Sequence, residues 1–283
     1  MSAFDQRAQE AIAAEVHMIS GSHDVQTSAD VSNVGAFQLP DPAGKAGGAC
    51  TSALLQVMHE IHDNPSGEQP TWVSVLRRMR TVLGGMGYDQ VPQLTSSRMI
   101  DVHQPMHIVP PGSTGARRAI LIGINYTGQQ GQLSGCHNDA KNIGKYLEDY
   151  QGFQTKDMLV LMDDGVHHNP TKQNIESSFA RICQYSQPGD VIFFHYSGEL
   201  QKDQRDGPTR EREREKDEKA TVLCCDAFAI LLLVKDLNPN TTELSRLLHC
   251  VVSCLVGQQV NHSLPLSHTH IHSCLCMLRS CSG

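Results

Sequence analysis

Arg118-Ala-Ile-Leu-Ile-Gly-Ile-Asn-Tyr126 decides the fold. From Ala119 to Ile124 the run is apolar at every position, the pattern of a strand buried on both faces inside a parallel sheet. Downstream the period changes. Ala140, Ile143, Leu147 and Tyr150 share one face of a helix. Met158-Leu-Val-Leu-Met162 predicts a second strand, Thr171 an N-cap for a helix carrying Ile175, Phe179 and Ile182, and Val191-Ile-Phe-Phe194 a third strand. Strand and helix in alternation, with right-handed crossovers, give an α/β fold whose mostly parallel sheet is covered by helices. Ligands bind such sheets at the carboxyl ends of the strands. That places function in Asn125 to Asp139, in Asp163-Asp164 and in His195-Tyr-Ser-Gly198.

Upstream, Glu15-Val-His-Met-Ile-Ser20 reads as a buried strand stopped by Gly21, residues 23–30 as a polar loop, and Gly44 to Gly48 as a flexible turn. One helix aligns Leu54, Val57, Met58 and Ile61 and ends at Pro65-Ser-Gly67. A second opens near Thr71 and aligns Trp72, Val75, Leu76, Met79, Val82 and Leu83. It turns Arg77, Arg78 and Arg80 outward as a solvated face, the alternative being a nucleic-acid patch. After Pro92-Gln-Leu-Thr-Ser-Ser97 an edge strand is expected up to Val109. The hinge Pro110-Pro-Gly-Ser-Thr-Gly115 then divides the chain.

The composition, 39% hydrophobic and 19% charged over 283 residues, suits a soluble globular protein. The longest apolar run, Ala227 to Val234, is too short to cross a membrane, and the N-terminus lacks the apolar core of a signal peptide. A net charge of −7 argues against nucleic acid as partner. Residues 1–200 hold 13 Lys/Arg and 20 Asp/Glu, which accounts for the whole −7. Three of the ten cysteines (Cys50, Cys136, Cys183) lie in that part, a usage that fits a reducing, cytoplasmic setting.

Arg118 to Tyr126, Gly131-Gln-Leu-Ser-Gly-Cys-His-Asn-Asp139 and Phe193-Phe-His-Tyr-Ser-Gly198 together resemble the large-subunit half of a metacaspase. Met18-Ile-Ser-Gly-Ser-His-Asp-Val-Gln-Thr-Ser-Ala-Asp30, Gly48-Ala-Cys-Thr-Ser-Ala-Leu54 and Pro92 to Ser97 resemble its small-subunit half. The small half comes first, as in the metacaspases called type III. The resemblance implies a caspase-like three-layer α/β fold with a mostly parallel sheet, here incomplete and followed by a disordered C-terminal tail. Its segments are a small-subunit-like part (1–109), a linker (110–116), the N-terminal part of a large-subunit-like part (117–198), and an unassigned charged and Cys/His-rich tail (199–283). It also implies a cysteine-type endopeptidase of the peptidase C14 group that cleaves after Arg or Lys, and is usually activated by calcium. Protein and peptide substrates would be its partners.

The matched loops agree with that chemistry, because a cationic side chain is best recognised by a carboxylate in a pocket. Asp139 is placed for this role, and by resemblance Cys136 and Ser197 line the same substrate-binding pocket. Alternatively Asp139 is a carboxylate favoured at a helix N-terminus, and Cys136 an inert buried thiol. Gln26 and Asp30 border the cleft or are simply loop polarity.

The departures concern catalysis. The family's catalytic His follows Tyr-Ser-Gly directly, and here Glu199 occupies that position. His195 lies on the same face of the strand but about 13 Å away. The nucleophile's Asp-x-Cys-His-Ser-Gly string has no counterpart, Leu223-Cys-Cys-Asp226 sharing only two letters. A thiolate nucleophile needs imidazole within hydrogen-bond reach, so no catalytic residue is assigned. The region of the family's calcium ligands is likewise missing. Asp163-Asp164 reads as a turn with at most a minor metal role, and Ser22 stands where the small-subunit pattern has Cys.

Beyond residue 200, Lys202 to Lys219 is nearly all charge. His268-Thr-His-Ile-His-Ser-Cys-Leu-Cys276 alternates ligand types without the spacing of a regular zinc site, so no metal is assigned there. Gly198-Glu-Leu200 is compatible with a splice-donor sequence at the codon level, which suggests a translated intron or a faulty gene model. Three functions follow: a metacaspase-family peptidase truncated before its dyad; a non-catalytic relative that binds Arg/Lys peptides or regulates active relatives; and a Cys/His-rich metal-binding module in the tail.

Overall fold

A computed structural model describes residues 15–21, 29–64, 69–96, 99–129 and 131–198. The expectations for Ser22, Gln26, Pro65 to Gly67, Glu199, the charged run, the Cys/His tract and the intron-like tail lie outside the described residues.

Strand β1 is His17–Ser20, β2 is Asp30–Val31 and β3 is Gly47–Gly48; helix α1 is Ala49–Asp63 and α2 is Trp72–Gly85; β4 is Gln93–Ser96. The second half contributes β5 (Arg117–Gly123), α3 (Cys136–Gln151), β6 (Met158–Met162), α4 (Lys172–Tyr185) and β7 (Val191–Ser197). β5 lies at the centre of a three-stranded parallel sheet of order β6-β5-β7. Ala119 pairs with Met158 on one side and with Phe193 on the other. This is the α/β architecture expected from the apolar run.

Alternation along β5 separates the two faces of the sheet. Ala119 and Leu121 join α1, α2 and α3 in one buried cluster that also contains Ile19, Leu54, Trp72 and Phe193. This core therefore draws on residues both before and after the Pro110–Gly115 segment. On the opposite face Phe194 packs on Phe179 of α4, with ring centroids 4.9 Å apart. Thr71 and Ser74 form a reciprocal capping box at the start of α2, and the Thr171 side chain caps α4. Arg77, Arg78 and Arg80 do face outward. Arg78 pairs with Glu60 at 2.6 Å, and Arg80 donates to the Pro92 carbonyl at 2.8 Å.

Two local expectations need correction. No strand runs from residue 99 to 109; instead Asp101 accepts from the His103 amide in a turn, and Val102 and Met106 bond back to Val73 and Pro70. Prolines at 105 and 110 deny that segment ladder donors. The strand sits earlier, at β4, and pairs antiparallel with β1. The Gly44–Gly48 turn also ends in a strand, since Gly47–Gly48 pairs with Val31 and Asp30.

Candidate functional site

The carboxyl end of β5 meets the start of α3 at a close approach that glycine makes possible. A Cβ on Gly123 would lie 2.5 Å from the Cys136 carbonyl oxygen. The Ile124 amide donates to the Ser197 carbonyl at 2.9 Å, and the Asn125 side chain accepts from the Cys136 amide at 3.0 Å. Gly135, the N-cap of α3, has no side chain to satisfy the helix start. Asp30 does so from the other half of the chain. It accepts from the Ser134 amide and hydroxyl, both at 2.9 Å, and from the Gly135 amide at 3.0 Å.

One turn into α3, Asp139 points back under β3. Its carboxylate accepts from the Gly48 amide at 2.9 and 3.0 Å and from the Ser197 hydroxyl at 2.7 Å, and it also hydrogen-bonds Thr51. Cys136 hydrogen-bonds Ser197 as well. The structure thus brings together Cys136, Asp139 and Ser197, the three residues named for substrate binding. Asp139 itself is only 1% exposed. The strand of Gly47 and Gly48, where the sequence predicts a flexible turn, covers it. A Cβ on Gly48 would lie 2.7 Å from Asp139 Oδ2.

Burial pushes the Asp139 carboxyl up to about 7. Hydrogen bonds from Ser197, Gly48 and Thr51 oppose the shift, and the charge of Asp30 adds to it. Burial, with Asp139 adding to it, also raises the Cys136 thiol, and pushes Cys50 up to about 12. Both cysteines are therefore thiols at neutral pH, unsuited to nucleophilic attack.

The other candidate loops are committed locally. Asp163 accepts from the Asn125 and Thr127 amides at 2.9 and 3.2 Å and faces His137 Nε2 at 2.5 Å. Burial alone would raise its carboxyl, but these contacts hold it below the usual range. Asp164 closes a turn by accepting from the amides of Val166 and His167. His195 is fully buried, neither ring nitrogen has a hydrogen-bond partner, and burial drives it down to about 3. It cannot serve as a base at neutral pH. Asp30 and Gly48 are the site residues whose contacts the sequence reading missed. The Gly47–Gly48 pair, a standing signal of close backbone approach, could have pointed to the second.

Residues 117–255 match the family model of the metacaspase, peptidase C14 domain. Over 196 residues the chain is 50% identical to Metacaspase III c of Phaeodactylum tricornutum, an alignment covering 69% of this chain and 58% of that protein. Over 102 residues it is 47% identical to Metacaspase-1 of Sclerotinia sclerotiorum and of Botryotinia fuckeliana, covering 33% of this chain and 24% of each relative. The chain thus spans less than two thirds of the length of these relatives.

Proposed function

Because this chain belongs to the metacaspase family of cysteine peptidases, we propose that Cys136, Asp139 and Ser197 form a pocket for a basic side chain. The occupant is an Arg or Lys of a protein or peptide, in a type III-like arrangement and in the cytoplasm. The observation that carries this reading is the convergence of Ser197, Gly48 and Thr51 on one buried carboxylate at the carboxyl end of the sheet. A buried carboxylate held by neutral donors attracts a cation more strongly than an exposed one, since water screens it less.

Binding is the step these residues support. The described cysteines most closely tied to the site, Cys136 and Cys50, are protonated, and the sequence places Glu199 where the family has its catalytic His. Calcium does not fit the described residues. No three His, Cys, Asp or Glu side chains converge among them, and Asp163 and Asp164 spend their oxygens on backbone amides and His137 or His167.

Residues 1–283 therefore act as a peptide-binding or regulatory member of a peptidase family. The test is hydrolysis of Arg- and Lys-terminated reporter peptides with and without calcium. No turnover above background is expected, since loss of one member of a nucleophile–base pair costs about a millionfold in subtilisin. Calcium-dependent turnover abolished by Cys225→Ala would overturn it.

A further inference from the structure

We propose that the groove between α1 and α3 is a second binding site, separate from the Asp139 pocket, and that its ligand is a small aromatic amine in its ammonium form. Helical spacing builds the groove. Asn142, Lys145, Tyr146, Asp149 and Tyr150 recur at i, i+3, i+4, i+7 and i+8, and so share one face of α3. Leu55 and His59, one turn apart on α1, face them, and the segment Leu39-Pro40-Asp41 completes the lining. The volume is about 180 Å³. A cavity of about 150 Å³ takes benzene, so a benzene ring with a short side chain matches this one. Along the axis of α3, Tyr150 lies about 16 Å beyond Asp139.

The walls suit a ring that carries a positive charge. Tyr146 and Tyr150 are stacked with centroids 5.3 Å apart, and His59 meets them edge-on at 5.2 and 5.1 Å. Aromatic faces attract both rings and cations. His59 Nδ1 is buried without a hydrogen-bond partner, and burial lowers the pKa of the ring, which is therefore neutral at pH 7. Lys145 pairs with Asp149 at 3.0 Å. The Asp41 carboxylate is in no hydrogen bond or ion pair among the described residues, and reaches Lys145 only through its field. The lining thus keeps one net negative charge, which draws a cation and opposes phosphate or carboxylate ligands.

The backbone holds this free carboxylate at the groove under strain. Asp41 has a φ of 46°, in the left-handed region, although it precedes Pro42, whose ring favours extended backbone there. Gln38, on the other side of Leu39 and Pro40, has a φ of 51°. Conformations of this kind persist only where the surroundings fix them, and they collect at ligand clamps. Here the fixing contact comes from the groove itself: the Asn142 side chain accepts from the Ala43 amide at 2.7 Å. Leu39, Pro40 and Leu55 supply the apolar surface for the ring, and Asp41 the charge for its ammonium.

The test titrates the full ¹⁵N-labelled chain at pH 7 with phenethylamine, 2-phenylethanol, phenylacetate and 1,4-diaminobutane. The first three share a ring and differ in charge; the last has charge and no ring. Phenethylamine should shift the amide resonances of Asn142, Lys145 and Tyr150 saturably at millimolar concentration, and leave Cys136, Asp139 and Ser197 unmoved. The alcohol, which lacks both the ion pair and the cation–π contact, should bind about tenfold more weakly, and phenylacetate more weakly still. Asp41→Asn keeps a residue that tolerates the left-handed conformation and should weaken phenethylamine about threefold; Tyr150→Leu should weaken it about fivefold. Asp139→Asn should change none of these affinities, so the failure of the Asp139 pocket and the failure of this site are read separately. Absence of shifts at Asn142, Lys145 and Tyr150 in the unmodified chain would overturn the proposal. So would phenylacetate or 1,4-diaminobutane binding as tightly as phenethylamine, or an amine affinity that neither Asp41→Asn nor Tyr150→Leu alters.

Discussion

Asp139→Asn should give the chain a pH dependence of stability between pH 5 and pH 8 that Asp139 and His195 nearly cancel in the unmodified chain. In the folded chain the Asp139 carboxyl rises from 3.8 to about 7. The proton is thus held more tightly folded than unfolded, and the stability it supports is complete below pH 3.8 and lost as the pH climbs through 7. Between pH 5 and pH 8 this group alone costs about 2.5 kcal/mol. His195 acts oppositely, because burial lowers it from 6.5 to about 3. Its contribution is complete above pH 6.5 and falls away toward pH 3, a loss of about 2 kcal/mol on going from pH 8 to pH 5. The two nearly cancel, so together they leave the unmodified chain about as stable at pH 5 as at pH 8. Removing the Asp139 titration exposes the His195 slope, and Asp139→Asn should gain about 2 kcal/mol from pH 5 to pH 8. Urea unfolding followed by Trp72 fluorescence and far-UV circular dichroism measures both curves, and shared contributions of other groups cancel in their difference. The same slope in the two proteins would show that the Asp139 carboxyl is not shifted by burial, and the description of the pocket would fail.

His195→Leu should leave the chain at least as stable at pH 8, since it removes two buried nitrogens without partners, and, with the Asp139 slope no longer offset, should make it about 2.5 kcal/mol more stable at pH 5 than at pH 8; a loss of more than about 2 kcal/mol at pH 8 would mean the ring makes contacts the structure does not contain. Asp30→Ala removes three hydrogen bonds to the start of α3 and should cost about 1–2 kcal/mol by urea unfolding, an unchanged midpoint counting against it. Under native conditions Cys50 and Cys136, buried and raised, should resist alkylation by iodoacetamide while half-buried Cys183 reacts first, as read by peptide mass spectrometry; early labelling of Cys136 would refute its burial.

What the sequence discloses about this fold is what depends on short-range pattern. The apolar run from Ala119, the helical stripes, the helix start near Thr71 and the cap at Thr171 each concern residues within a turn or two, and the structure contains each of them. The misplaced elements lack such a pattern. β4 carries polar Gln93, Thr95 and Ser96, and exists because β1 offers it a ladder. β2 and β3, two residues each, are too short to show any period. The pocket is half legible for the same reason. Cys136 and Asp139 lie on one helical turn, and Ser197 lies at the end of the strand paired with β5, so a motif can carry them. The Gly48–Asp139 and Asp30–Gly135 bonds join residues 91 and 105 positions apart. No local rule reports them, and with them the burial of Asp139 goes unread.

Binding of an Arg-containing peptide, set against its Gln-substituted counterpart, tests the central claim most directly. Amide resonances of Cys136, Asp139 and Ser197 are followed by NMR in the full chain and in Asp139→Asn. The account predicts saturable shifts at these three residues with the Arg peptide at millimolar concentration. Added salt should weaken the shifts, and both the Gln control and Asp139→Asn should lack them. Equal shifts with both peptides, or shifts that survive Asp139→Asn, would contradict it.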